Sequence, residues 1–148
     1  IVLHEGKLLC VRLKPYNEAL KQDNSFWCLP GGTLDEGEAL LDCIKREMIE
    51  ETGIAPEIGN LLFIQQFAEG EKEHLEFLFH IKYVGDYETI DLSQTTHGLI
   101  EINDMEFVDH TAGNVLPKFL QAIDIGEAIE LNKPTEVVNY IQSAPVAE

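Results

Sequence analysis

The chain has 148 residues, of which 45% are hydrophobic, and its 27 acidic and 10 basic residues give a formal net charge of −17. This length and composition suit one compact domain over residues 1–148, because no Pro/Gly/Ser-rich linker divides the sequence. The acidic balance argues against a nucleic-acid polymer as partner, since such a field repels phosphate backbones. A small anionic substrate remains compatible if bound cations reverse the local charge.

The three cysteines, Cys10, Cys28 and Cys43, are an odd number without zinc-ligand spacing. Cys10 and Cys43 have apolar neighbours and are predicted core residues, which fits a reducing, cytoplasmic location. No apolar run approaches the length of a membrane span and no signal peptide is visible, so no membrane association is expected. The chain opens inside an apolar run, which leaves open whether a native N-terminus is missing.

The first half is predicted to form strands followed by one long helix. Alternating or apolar runs predict strands over residues 1–3, 7–13 and 26–29, with a hairpin turn between the first two and a polar loop over residues 14–25. The helix is predicted over residues 38–52, with Gly53 as its C-terminal cap.

The second half predicts a hairpin, a long loop and two helical segments. Strands are predicted over residues 58–67 and 74–84, with Gly70 near their turn and one shared face formed by Leu75, Phe77, Phe79 and Ile81. Residues 85–100 are predicted to be a functional loop, and residues 105–108 a short strand.

The remaining residues have helical spacing over 115–125 and again from Pro134 through Val137, Val138 and Ile141. Residues 126–148 are expected to be a peripheral C-terminal extension. Together the elements predict a mixed β-sheet with a few helices, of class α/β or α+β.

Carboxylates interrupt the apolar face of the predicted central helix. At about 100° per residue, the side chains within roughly 60° of Ile44 define a buried stripe formed by Leu40, Leu41 and Met48. On the same projection Glu51 lies about 20° from Ile44, Glu47 about 60° and Glu50 about 120°. Burying carboxylates is costly without compensating charge. Arg46 alone cannot neutralise three glutamates, whereas hard divalent cations can, so metal binding is favoured over a structural ion-pair cluster, which stays open.

The same helix carries a recognisable motif. Gly32, five residues, Glu38, seven residues, Arg46-Glu47-Met48, one residue, Glu50-Glu51, one residue and Gly53-Ile54 follow one another in the sequence. This pattern resembles the signature of the Nudix hydrolase family at every fixed position, and residues 27–31 resemble the usual approach to it.

The resemblance implies an α/β/α sandwich with a mixed β-sheet and a loop-helix-loop metal site. It also implies hydrolysis of a nucleoside diphosphate linked to another moiety, with Mg²⁺ or Mn²⁺ as cofactor. Carried onto this chain, Glu47, Glu50 and Glu51 are the metal-binding carboxylates, the Gly32 carbonyl is a further candidate ligand, and Glu47 is the candidate base.

Arg46 and Glu38 are interpreted as supporting groups of that site. Arg46 can orient carboxylates through bidentate pairs. Glu38 can reach Arg46, or it can simply be a favourable anion at the start of the helix.

Candidates outside the motif each have an ordinary alternative. Glu101 is a candidate additional ligand or base, in competition with Glu106, Glu76, His97 and a solvated role. Arg12 and Lys14 are candidate contacts to substrate phosphates or ordinary charges at a strand end. Trp27, with Phe26, is a candidate platform for a nucleobase or a core residue.

The substrate class stays open among nucleoside triphosphates, nucleotide sugars or ADP-ribose, and dinucleoside polyphosphates. Glu69 and Glu71 stand near positions where some family members have a proline or a tyrosine, which slightly favours a triphosphate or an atypical substrate. The alternative function is a non-catalytic nucleotide sensor on the same fold. An isomerase of the related isoprenoid type is disfavoured because it departs from the strict motif. The sequence leaves a homodimer open.

Overall fold

Two β-sheets with a shared hydrophobic core form the centre of the molecule. The computed structural model describes residues 1–14, 26–112, 114–131 and 133–139. Within these ranges the strands are β1 (Leu3–His4), β2 (Lys7–Leu13), β3 (Trp27–Cys28), β4 (Ile58–Glu69), β5 (Lys72–Ile81), β6 (Ile102–Val108), β7 (Val115–Leu116) and β8 (Glu136–Asn139). The α-helices are α1 (Leu40–Thr52), α2 (Gly98–Glu101) and α3 (Ile125–Glu130).

Both sheets are mixed. In the larger one, β2 pairs antiparallel with β1, β3 and β6, while β3 pairs parallel with β7. In the smaller one, β4 pairs antiparallel with β5 and parallel with β8. The predicted class, a mixed sheet with a few helices, is therefore confirmed.

The core consists of two hydrophobic clusters that join these elements. One cluster contains buried residues from both sheets together with Ile125 of α3, among them Cys10, Trp27, Phe63 and Leu78. The other packs Met48 of α1 against both sheets and Tyr87. The burial predicted for Cys10 and Cys43 is confirmed. Within the described ranges, no helix has the length and apolar character needed to cross a bilayer.

Helix α1 begins at Leu40, two residues later than predicted, and ends at Thr52 as predicted, with Gly53 as its C-terminal cap at the left-handed φ of 74°. The predicted stripe is only partly buried. Met48 is in the core, whereas Leu41 is 49% exposed, because it lies at the outer edge of the stripe.

The prediction of a helix over residues 115–125 was wrong. The segment begins as strand β7, continues as a 3₁₀ turn over Lys118–Ala122, and only then leads into α3. Pro117 disfavours helical geometry for Leu116, which explains the extended start. Helix α3 begins after Asp124, whose carboxylate accepts a 2.8 Å hydrogen bond from the Glu127 N–H.

The helix predicted from Pro134 was also wrong. Glu136–Asn139 is strand β8, and Val137 and Val138 pair with Ile64 and Gln65 of β4. Their β-branched side chains suit a strand, and pairing with a distant strand overrides the local spacing. Ile141 lies outside the described residues, as does the loop predicted over residues 14–25 from residue 15 onward. The assignment of residues 1–148 to one domain with a peripheral extension stays a prediction.

The predicted hairpin forms with Gly70 at its turn (φ 60°), and both strands extend two residues further toward that turn than predicted. Strand β5 ends at Ile81, three residues before the predicted end. The predicted apolar face of β5 was wrong in part, because Leu75 and Phe77 are exposed while Leu78 and Ile81 are buried. Two irregularities in the pairing of β4 with β5 shift the register and explain the change. Residues 85–100, predicted to be a loop, contain two 3₁₀ turns and the start of α2.

Candidate active site

Arg46 of α1 is the centre of a network of carboxylates. Its Nε lies 2.9 Å from Glu38 Oε1, and its Nη2 lies 3.0 Å from Glu38 Oε2. Nη1 donates to Glu47 Oε1 at 2.7 Å and to Glu50 Oε2 at 3.1 Å. Nη2 also reaches the Thr33 carbonyl at 3.1 Å, which ties the preceding loop to the helix. One guanidinium therefore orients three glutamates and one loop carbonyl.

Glu38 contacts Arg46 through both of its oxygens and also accepts a 3.1 Å hydrogen bond from the Asp35 N–H. The hydrogen bonds from Arg46, followed by that from Asp35, lower the pKa of Glu38 to about 2. The hydrogen bonds with Glu38 in turn raise the pKa of Arg46. Of the two interpretations of Glu38, the contact with Arg46 is present, and Ala39 stands at the N-cap position without a side-chain hydrogen bond.

Gly32 lies against the carboxylate of Glu47. A Cβ atom at position 32 would stand 2.3 Å from Glu47 Oε1 and 2.4 Å from its Cδ. A side chain cannot occupy that space unless the carboxylate moves, so the motif requires glycine here because of close approach.

Glu51 is the buried carboxylate of the helix, only 3% exposed, as the helical projection predicted. Its Oε2 accepts a 3.0 Å hydrogen bond from the Gly31 N–H. Burial raises the pKa of Glu51 to about 8, the hydrogen bond from Gly31 opposes the rise, and the charges of Glu47, Glu101 and Glu50 add to it. The protein alone therefore stabilises the charged form of this buried carboxylate poorly.

The segment before β6 docks on the C-terminal end of α1. The His97 N–H donates to the Glu50 carbonyl at 3.0 Å. His97 Nδ1 lies 3.4 Å from Glu50 Oε2 and 4.0 Å from Glu101 Oε1. Glu101 is thus brought to the edge of the glutamate cluster, and His97 joins it.

Two candidates lie beside this segment: Arg12 of β2, and Lys14, which directly follows that strand. The Lys14 N–H donates to the Glu101 carbonyl at 2.7 Å, and Lys14 Nζ contacts the Leu99 carbonyl. Arg12 lies 3.7 Å from Asp104, and its guanidinium stands over the Trp27 ring at 4.4 Å. Trp27 is 7% exposed and is a core residue, one of the two roles considered for it. Its neighbour Cys28, and not Trp27, is among the residues that line the cleft described next.

A cleft of about 730 Å³ runs from the motif along strand β5. Its lining includes Gly32 and Glu47 of the motif, Gln65 and Glu76 of the hairpin, and Lys118. Gln65 was not singled out from the sequence. The alternation along a strand would have indicated it, because Phe63, Gln65 and Phe67 lie on the same strand face.

The donor set fits a hard divalent cation. Glu47, Glu50, Glu51 and Glu101 offer carboxylate oxygens, which Mg²⁺ and Mn²⁺ accept, and Arg46 is one positive charge against them. In the described part of the chain no three His, Cys, Asp or Glu side chains already converge on one point. Arg46 Nη1 instead contacts both Glu47 and Glu50.

Comparison with known proteins relates the chain to others of this architecture. Over 52 residues it is 48% identical to an RNA pyrophosphohydrolase of Bartonella quintana, a match that covers 34% of this chain and 30% of that protein. A NUDIX hydrolase structure from Nitrosomonas europaea has a TM-score of 0.63 at 19% identity, covering 91% of this chain and 87% of that one. A UDP-X diphosphatase structure has a TM-score of 0.63 at 20% identity, covering 92% of this chain and 63% of that one.

These structural likenesses confirm the predicted fold. The sequence match to the curated relative spans less than a third of that protein's length. The NUDIX domain profile matches residues 1–121, which is most of the chain. With that match over the larger sheet, the β4–β5 hairpin, the loop and α1, the chain belongs to the Nudix hydrolase family.

Proposed function

We propose that the chain hydrolyses the diphosphate linkage of a nucleoside diphosphate joined to another moiety, in a reaction that needs Mg²⁺ or Mn²⁺. Water adds to one phosphorus, the bridging P–O bond breaks, and the bridging oxygen leaves with the other phosphate group. A nucleoside triphosphate and a nucleotide sugar both contain this linkage.

One observation carries the proposal: Glu47, which Arg46 orients, lines a cleft large enough for a nucleotide, and the Arg46-bound Glu50 and the buried Glu51 follow it within about one turn of the same helix. Pocket volumes of this size are typical of small-molecule sites. Three glutamates around one arginine, with the buried Glu51 on the same helix, would repel a diphosphate, so the arrangement is intelligible as a cation site.

Glu47, Glu50 and Glu51 would hold the metal, with the Gly32 carbonyl as a further ligand. When bound, the metal would offset the charge of the diphosphate and lower the pKa of the attacking water. We assign Glu47 to accept the proton of that water, because it is the motif glutamate that lines the cleft. Arg46 keeps Glu47 and Glu50 oriented, while Gly31 fixes Glu51 through its N–H. Glu101, held beside His97, is proposed as an additional ligand or base.

The test is a substrate panel with and without Mg²⁺, with products identified by mass. The panel contains nucleoside triphosphates, ADP-ribose, nucleotide sugars and dinucleoside polyphosphates. A short RNA with a 5′-triphosphate is included because of the name of the Bartonella relative. The net charge of −17 leads us to expect cleavage of the small nucleotides over the RNA.

Three variants make the test specific. Glu47→Gln and Glu51→Gln should each lower kcat by about a hundredfold or more, because general base catalysis alone typically contributes that much. Glu36→Gln, at an exposed position of the same loop, is the matched control and should keep wild-type kcat. Metal-independent cleavage, or wild-type activity in Glu51→Gln, would contradict the proposal. Nucleotide binding without cleavage of any substrate would favour a sensor.

A further inference from the structure

The β4–β5 hairpin contributes residues to the lining of the cleft, among them Gln65, Phe67, His74 and Glu76 from one face of the hairpin. Three cross-strand pairs follow one another on that face, and the register gives them as Phe63–Leu78, Gln65–Glu76 and Phe67–His74. Residues opposite each other in an antiparallel pair project to the same side with Cβ atoms about 5 Å apart. The face therefore passes from an apolar core pair to a polar pair and then to an aromatic pair.

Gln65 is a buried amide without a partner for its carbonyl oxygen. Its side chain is 6% exposed, and Oε1 has no hydrogen-bond partner among the described residues. The residue lines the cleft next to the buried Phe63. An unpaired buried acceptor destabilises a fold, so its presence on a cleft wall indicates a donor supplied by a ligand.

Glu76 is a second acceptor directly opposite. It lines the same cleft, where it is accessible to solvent, yet the cleft walls desolvate its carboxyl enough to raise its pKa. Burial is the main cause that raises the pKa of the Cys28 thiol, and the charges of Glu76 and then Glu51 add to this effect. The Gln65–Glu76 pair thus lies within electrostatic reach of Cys28, as the proposed metal site does.

A planar surface adjoins these two acceptors. The rings of Phe67 and His74 are stacked, with centroids 4.8 Å apart and planes at 11°. Both residues line the cleft. Aromatic rings beside hydrogen-bonding groups suit a flat heterocycle, which needs a stacking partner and an edge contact together.

We propose that Gln65 and Glu76 bind the edge of a nucleobase that presents two adjacent N–H donors, as guanine does with N1–H and its 2-amino group. The proposal rests on the proposed function, since it assigns the base of the same nucleotide. Hypoxanthine lacks the 2-amino donor. Adenine presents one amino donor beside an acceptor nitrogen, which would face the Gln65 carbonyl unfavourably.

The experiment measures binding separately from cleavage. Calorimetry of the full chain in Mg²⁺ compares GMP, IMP and AMP, which have no diphosphate linkage to hydrolyse. We expect GMP to bind about tenfold or more tightly than IMP or AMP, because each analogue leaves an acceptor of the wall unpaired.

Variants identify the residues responsible. Gln65→Met keeps the shape of the side chain and removes the acceptor, and Glu76→Gln removes the charge. Each should lower the affinity for GMP about tenfold and reduce the preference over AMP. The matched controls are Gln66→Met and Glu73→Gln, on the opposite face of the same strands, and they should keep the preference.

Gln65→Met should leave the thermal midpoint of the free protein unchanged or higher, because an unpaired amide is replaced by an apolar group. A lower midpoint with unchanged preference would mean that Gln65 is structural and would overturn the proposal. Equal binding of the three monophosphates by the wild type would overturn it as well. Base preference without cleavage of any substrate in the panel would refute the proposed function alone, and cleavage without base preference would refute this proposal alone.

Discussion

Individual residues of the motif are explained by contacts that spacing alone does not reveal. Gly32 is required because the Glu47 carboxylate fills the space that a Cβ would take. Glu51 accepts a hydrogen bond from the Gly31 N–H. The neighbouring loop residues Gly31 and Gly32 therefore lie against Glu51 and Glu47, which are one helical turn apart. The burial of Glu51 could be predicted from its angle on the helix, whereas the place of Gly32 depends on how the loop folds back.

Gly32→Ala is the sharpest test at this scale. The added methyl group displaces the end of a flexible side chain, so the fold should persist while the Glu47 carboxylate moves. We expect kcat/KM to fall about ten- to hundredfold, the range typical of changes in groups that orient metal ligands. Circular dichroism checks the fold. Gly85→Ala, where no atom lies within 4 Å of the added Cβ, is the matched control. An unchanged kcat/KM in Gly32→Ala would show that the position of this carboxylate is unimportant.

At the scale of elements, α1 followed the sequence closely because its signal is local. Its spacing and its glycine cap lie within one continuous segment. The residues at 115–125 and 136–139 did not follow, because Pro117 and the pairing with β4 override their helical spacing. Such pairing between distant segments leaves no periodic trace in the segment itself.

The short segment before β6, which consists of His97 and helix α2, also has a role that can be tested. At Gly98 a Cβ would stand 2.0 Å from Thr95 Oγ1 and 2.7 Å from the Leu92 carbonyl. Gly98→Ala should therefore open this turn and weaken the contact of His97 with Glu50 and Glu101. We expect a loss of about 1–2 kcal/mol in the free energy of unfolding, together with reduced kcat.

Urea unfolding and steady-state kinetics measure the two effects. Gly85→Ala again serves as the control, since Gly85 lies earlier in residues 85–100 and a Cβ added there would have no atom within 4 Å. A variant with reduced stability and full kcat would separate the segment from catalysis.

At the scale of the whole molecule, the net charge of −17 makes the chain a poor binder of phosphates unless cations are present. Composition alone indicated this, and the motif indicated where the proposed cations would bind. The wall formed by Gln65 and Glu76 could not be found in the same way, because it depends on the register between two strands.

Mg²⁺ should stabilise the folded chain, because a ligand that binds only the folded state raises its stability. At a concentration a hundred times the Kd the gain is about 2.7 kcal/mol. For a chain of this size that corresponds to a rise in Tm of several degrees, about 2–4 °C per kcal/mol. Differential scanning fluorimetry with EDTA and then with added Mg²⁺ gives the value.

Salt alone also relieves repulsion in an acidic protein, so NaCl at equal ionic strength is the necessary control. Glu51→Gln should lose most of the Mg²⁺-specific shift, and Glu36→Gln should keep it. A shift of equal size with NaCl would mean that Mg²⁺ only screens charge and occupies no specific site.

The hairpin of β4 and β5 is continuous in sequence, and it turns at Gly70 without involving the motif. If it contributes the base-recognition wall, the reaction and the choice of substrate are encoded in separate stretches of the chain. Replacing the hairpin as one unit would then be a route to a hydrolase that cleaves the same bond in a different nucleotide.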